Sequence, residues 1–343
     1  MRRRVVATIA IALGLTLLTW QVRVTGLTNI AQGLAAVGWW GATGILVLSL
    51  LRFAVRATGW SALIPVDTPP GSSLAAMIAG EAAGSLTPLS FLISEPTKAA
   101  YLGASLPSIG TAGALAALAA ETFFFGVSVG IYVILGAAAL LYAYPVNDTV
   151  RIAGIATLGF MAVSLAVATW MAWRKPTLAG SLIARVPIRR VSRLADRVRA
   201  FERTAYGSTG HASARIGVVV ACAAMFHLFS FLELWLTLWL ITGESLVAAA
   251  FILDTVGRLT NVLFKMIPLQ LGVLQVGSEL VAHAMGLAPG VGVTVSLVRT
   301  MRVMAWSVVG IWLLARRGLA GFSGSNGPKV QGSKGPSTGI SEP

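Results

Sequence analysis

Charge is what this sequence has least of. Asp, Glu, Lys and Arg make up 11% of its 343 residues, less than half of the roughly one quarter usual in a soluble domain. Hydrophobic residues make up 56%, and that balance excludes a soluble fold. Acidic residues are scarcer than basic ones, 12 against 26. Cysteine is reduced to Cys222, which leaves no internal disulfide to form. His227 and His283 read as isolated side chains, so no metal centre is expected. A Gly-rich nucleotide loop, a nucleophile elbow and a metalloprotease helix are all missing. Neither a cofactor nor an enzymatic active site is therefore expected.

Long apolar runs are what the sequence has in abundance. About 20 apolar residues cross a bilayer as a helix, and the pattern predicts six spans near 5–22, 38–63, 108–141, 150–173, 214–241 and 290–315. The expected fold is an all-α polytopic bundle. Strands of a barrel would be shorter and alternating. Trp39, Trp40, Trp170 and Trp173 fall at span ends, where an aromatic belt forms. The first apolar run has no small-residue cleavage site after Trp20, so it reads as an uncleaved span.

The net charge of +14 would suit nucleic acid if it were spread over a surface. It is clustered instead, before the first span, through 174–206 and after the last span. That is the positive-inside pattern, and it predicts a bacterial inner-membrane protein with both termini cytoplasmic and no nucleic-acid partner. The basic segment 174–206 is either a solvated loop or an interfacial helix on anionic lipid. Residues 318–343, rich in Gly, Ser and Pro, read as a disordered tail.

Two segments, 71–105 and 244–288, are too interrupted by proline and charge to be lipid-facing helices. Non-helical backbone at membrane depth survives only inside protein or beside a watery cavity. Both are expected to be re-entrant helical hairpins. They also resemble each other: Glu81, Gly84, Leu86 and Thr87 match Asp254, Gly257, Leu259 and Thr260 at a constant offset. The chain then divides into a first repeat, 1–145, and a second, 146–317, each with three spans and one hairpin. Three crossings is an odd number, so the repeats would be inverted, as in many transporters.

Ionisable residues at bilayer depth are costly, so each needs a partner or a purpose. They concentrate in the hairpins and the spans that follow: Glu81, Glu95, Lys98, Glu121, Glu233, Asp254, Arg258, Lys265, Glu279, Arg299 and Arg302. Ser94 to Lys98 reads as a helix start with Ser94 as cap and Pro96 in the first turn, and Pro268 reads as the start of a second short helix. Helix N-termini favour phosphate or carboxylate. The expected substrate-binding residues are Lys98, Arg258 and Lys265, joined by Arg52, Arg56 and Arg299. Glu81, Glu95, Glu121 and Asp254 would balance or gate them. The alternative is that Glu95 with Lys98, and Asp254 with Arg258, are ion pairs that only lock the hairpins.

Arg52 and Arg56 near Trp60, the stretch from Glu81 to Lys98, and Asn261 to Gly272 followed by Arg299 together resemble the membrane domain of the lysylphosphatidylglycerol synthase family, also called flippase-like proteins. The resemblance covers about 5–317. It implies translocation of a lipid between leaflets, or service to lipid-biosynthetic pathways, with re-entrant helices lining the route. No soluble aminoacyl-transfer domain follows the last span here, which argues against lipid synthesis by this chain alone. The expected function is a flippase or scramblase for an anionic phospholipid or lipid-linked intermediate, running downhill or coupled to protons. A scaffold for a lipid-modifying enzyme or glycosyltransferase and a small-anion transporter are the alternatives. A lipid-biosynthetic enzyme and a second copy of the chain are the protein partners left open.

Overall fold

A computed structural model describes residues 27–69, 71–85, 90–174, 212–264, 267, 270 and 272–322. Nine α-helices and no strand occur among them: α1 Leu27–Ala62, α2 Ser72–Ser85, α3 Ser90–Gly103, α4 Gly110–Ala143, α5 Asp148–Arg174, α6 Ala212–Thr242, α7 Val247–Leu263, α8 Val273–Ala284 and α9 Val291–Phe322. Five of these contain segments long and apolar enough to cross a membrane, Ala35–Ala62, Gly110–Ala143, Asp148–Trp170, Ala214–Thr242 and Val291–Arg317. They correspond to the second through sixth predicted spans. The predicted first span, the basic segment from 175 onward and residues 323–343 of the tail lie outside the described residues; residues 318–322, expected to open that tail as disordered chain, instead continue α9 as helix.

The two interrupted segments form pairs of short helices, α2 with α3 and α7 with α8, where proline, glycine and charge cut the apolar pattern. Their boundaries correct the sequence reading. Residues Ser94 to Lys98 are not a helix start: α3 begins at Ser90, and Pro96 lies in its interior. Proline there removes one backbone hydrogen bond, and packing against α2 keeps the helix continuous. Ser94 is buried and its hydroxyl caps nothing. In the second segment the described helix spans Val273–Ala284, and the start expected at Pro268 lies outside the described residues. The Gly272 N–H that opens this helix donates to Gln275 Oε1 at 2.7 Å, a local cap that the apolar pattern does not reveal.

Lipid tails are as apolar as leucine, so helices associate in a membrane through close packing of small residues and through polar contacts. The outer face therefore keeps its aliphatic side chains outward, with Ile152 on α5 68% exposed. The inner crossings follow the small-residue rule, and they are reciprocal: α2 packs on α9, and α7 packs on α4. Gly310 on α9 meets Ala82 and the Ile78 carbonyl of α2, and Gly136 on α4 meets Thr255 of α7. At either glycine a Cβ would collide with the facing helix. Two apolar clusters flank these crossings. One surrounds Trp60, whose indole N–H donates to the Ala114 carbonyl at 3.1 Å. The other gathers Leu238, Ala250 and Leu253 from α6 and α7.

Candidate functional site

Among α1, α2, α4, α5, α6, α7 and α9 lies a cavity of about 500 Å³. Five arginines line it, Arg52 and Arg56 from α1, Arg258 from α7, and Arg299 and Arg302 from α9. A buried guanidinium needs a counter-charge and acceptors for its donors, and the helices supply three carboxylates. Glu121 on α4 takes Arg56 through two parallel hydrogen bonds, Nε to Oε1 at 2.9 Å and Nη2 to Oε2 at 2.7 Å. Asp254 on α7, 1% exposed, accepts from Arg258 one turn away at 3.0 and 3.2 Å, and from the Ser230 hydroxyl at 3.0 Å. Arg299 adds an ion pair to the same carboxylate at 3.6 Å. Glu233 on α6 takes two guanidiniums on one oxygen, Arg52 at 2.7 Å and Arg302 at 3.1 Å.

Rings complete the solvation of these cations. Arg56 lies over Phe125 at 4.1 Å, Arg52 over Phe226 at 4.7 Å and Arg258 over Tyr132 at 4.7 Å. The arginine wall remains under-supplied with acceptors nonetheless. Arg52 Nε, Arg302 Nε and Trp306 Nε1 are buried donors with no acceptor, and all three residues line the cavity. Buried donors are normally satisfied, and an acceptor-rich anion is the kind of ligand that would satisfy them. Much of the remaining lining is apolar. Phe123 and Val127 of α4 and Phe160, Met161 and Leu165 of α5 belong to it, and Phe123 and Phe160 are themselves 37% and 48% exposed.

Of the residues expected to bind substrate, Arg52, Arg56, Arg258 and Arg299 meet at this cavity. Lys98 is 1% exposed and pairs with Glu95 at 2.9 Å and with Glu81 at 3.5 Å; of these three only Glu81 lines the cavity. Lys265 lies outside the described residues. Of the residues expected to balance charge, Glu121 and Asp254 hold arginines, Glu95 holds Lys98, and Glu81 both holds Lys98 and lines the cavity. The ion pairs expected at helical spacing, Glu95 with Lys98 and Asp254 with Arg258, are both formed.

Glu233 and Arg302 stand out in sequence as ionisable residues inside apolar runs, but nothing there joins them. Their meeting with Arg52 is a tertiary event across 181 residues of chain. Trp306 gives no signal beyond lying one turn past Arg302 on α9. Glu279 serves the backbone instead of an arginine. Its carboxylate accepts the Gly290 and Val293 N–H groups at 2.7 and 3.1 Å, compensating the positive start of α9.

A family model described as the lysylphosphatidylglycerol synthase TM region matches residues 5–311. No curated protein and no solved structure matches the chain.

Proposed function

The chain belongs to the lysylphosphatidylglycerol synthase TM-region family, a membrane class tied to lipid modification or transport, and from that premise we propose that it moves an anionic lipid between leaflets as a flippase or scramblase. The observation that carries this reading is the mixed lining of the cavity. Five guanidiniums and a larger set of apolar side chains line one cavity of about 500 Å³, the chemistry of an amphipathic ligand with an anionic head and hydrocarbon tails. Guanidiniums suit phosphate because their forked donors match its oxygens. The exposed Phe123 and Phe160 in that apolar lining fit a lateral entrance for acyl chains.

The same reading takes the architecture as six spans and two re-entrant hairpins in an inverted repeat, in a bacterial inner membrane with cytoplasmic termini. The reciprocal packing of α2 on α9 and α7 on α4 supports it. So do the two ion pairs that tie corresponding helices with their charges exchanged, Arg56 to Glu121 between α1 and α4, and Glu233 to Arg302 between α6 and α9. Binding sites at the interface of inverted repeats recur in transporters. With Glu121, Glu233 and Asp254 all held by arginine, the reading favours downhill movement over proton coupling.

Reconstitution into liposomes with fluorescent lipids tests the proposal. The protein should transfer a lipid with an anionic phosphate headgroup severalfold faster than one with a choline headgroup. Equal rates for both would remove the arginine wall from the account. No movement of any lipid would leave the scaffold reading in its place.

A further inference from the structure

A second cavity, of about 210 Å³, lies among α4, α5, α7 and α8, and no ionisable residue lines it. Thr157 and Thr255 in its lining turn their hydroxyls back onto their own helices, donating to the Ala153 carbonyl at 2.8 Å and the Phe251 carbonyl at 3.0 Å. A cavity lined in this way offers water too few polar partners and stays dry. Its floor is closed: Ala137, Leu140, Val150 and Ile252 are all buried. Its rim is open, with Leu263, Phe264 and Leu280 between 39% and 49% exposed.

The lining residues of α4 and α5 fall in 136–140 and 150–157, inside the crossing segments Gly110–Ala143 and Asp148–Trp170. The medium at the rim is therefore bilayer hydrocarbon. Along α7 the lining runs from Ile252 to Phe264, about 18 Å of helix at 1.5 Å per residue. The cavity is thus long as well as apolar, a shape that suits a linear chain. Left empty, it would forfeit dispersion contacts along every side.

This cavity is separate from the arginine-lined one. Phe125, Val129 and Met161, which line the first, pack in one apolar cluster with Leu259, which lines the second. A layer of side chains stands between them.

We infer that the second cavity binds one acyl chain of a bilayer phospholipid, from the leaflet at the Asp148 end of α5, without selecting its headgroup. The chain enters past Leu280 and lies between α5 and the α7–α8 pair, joining that pair to a helix that otherwise packs chiefly along α4. The uncharged lining is what makes the site indifferent to the headgroup. The site does not depend on lipid transfer.

Phosphatidylcholine and phosphatidylglycerol carrying the same photoreactive group at the end of one acyl chain test this with the full-length protein in nanodiscs. Both lipids should label Gly136, Ala137 and Gly277 to the same extent, in addition to the outward Ile152 and Ile155. Gly277→Leu fills the cavity. A Cβ built at Gly277 meets only Val256 at 3.6 Å and Thr260 at 3.9 Å, so the variant should fold with a wild-type melting temperature. It should reduce the inward labels severalfold and leave those on Ile152 and Ile155 unchanged. Leu280→Trp, on the exposed rim, should do the same without touching the floor. Gly217→Leu is the control, on an open face of α6 outside this lining, and should label as wild type. Absence of inward labels in the wild type, or inward labels that persist in a folded Gly277→Leu protein, would overturn the inference. Inward labelling by phosphatidylglycerol alone would overturn it too, by making the cavity an annex of the arginine-lined one. Lipid transfer, measured separately in liposomes, stands or falls independently of these labels.

Discussion

Gly126→Trp is expected to stop lipid movement in a protein that still folds. Gly126 lies on α4 and lines the cavity, and a Cβ built there meets nothing within 4 Å. An indole added at this point enters free space instead of a packed core, so the overpacking strain that usually accompanies enlargement is absent. Replacing glycine inside a helix also removes a conformational penalty of about 0.5–1 kcal/mol. The side chain would occupy the cavity. Transfer of an anionic fluorescent lipid in liposomes should fall by more than about tenfold, equivalent to about 1.4 kcal/mol on the barrier. The melting temperature should hold or rise. Gly159→Trp is the matched control: Gly159 on α5 is equally open but is not part of the lining, and its variant should transfer lipid at the wild-type rate. A Gly126→Trp protein with full activity would mean that the lipid travels elsewhere.

Asp254→Asn should produce the largest loss of stability of any single polar substitution in the bundle. The carboxylate is 1% exposed and serves Arg258, Arg299 and the Ser230 hydroxyl at once. Asparagine preserves the shape and one acceptor but removes the charge, leaving two buried guanidiniums uncompensated. Breaking a buried pair from one side costs about 3–5 kcal/mol. Thermal or denaturant unfolding in detergent should register that loss, and adding Arg258→Gln should recover part of it. Wild-type melting of the single variant would contradict the role given to Asp254.

Which of these features could be read from the chain alone follows from how local each one is. The ends of the spans were legible because hydropathy is a property of contiguous sequence. That the segment 71–105 is broken into short helices was legible because Pro88, Pro96, Glu81 and Lys98 interrupt that hydropathy. The α3 start at Ser90 was not, since Pro96 is a strong local signal for a first turn and only packing against α2 overrides it. The cavity was legible in part. Arg52, Arg56, Arg258 and Arg299 draw notice as charges in apolar surroundings. Whether a given cation faces the cavity or a private carboxylate depends on neighbours far away in the chain. Lys98 turns to Glu81 and Glu95, whereas Arg302 turns to a glutamate on another helix and keeps a buried Nε without an acceptor. Trp306 carries no sequence mark that separates it from a belt tryptophan.

The central claim is that the headgroup of an anionic lipid occupies the arginine-lined cavity within the bundle. A photoactivatable anionic phospholipid, with the reactive group close to the phosphate, tests it directly when the protein is irradiated in nanodiscs and the labelled peptides are sequenced. The account predicts labels in 122–130 on α4 and 299–307 on α9, competed away by unlabelled anionic lipid. Labels confined to the outward aliphatic faces, such as Val218 and Val220 on α6 or Ile152 and Ile155 on α5, would contradict it.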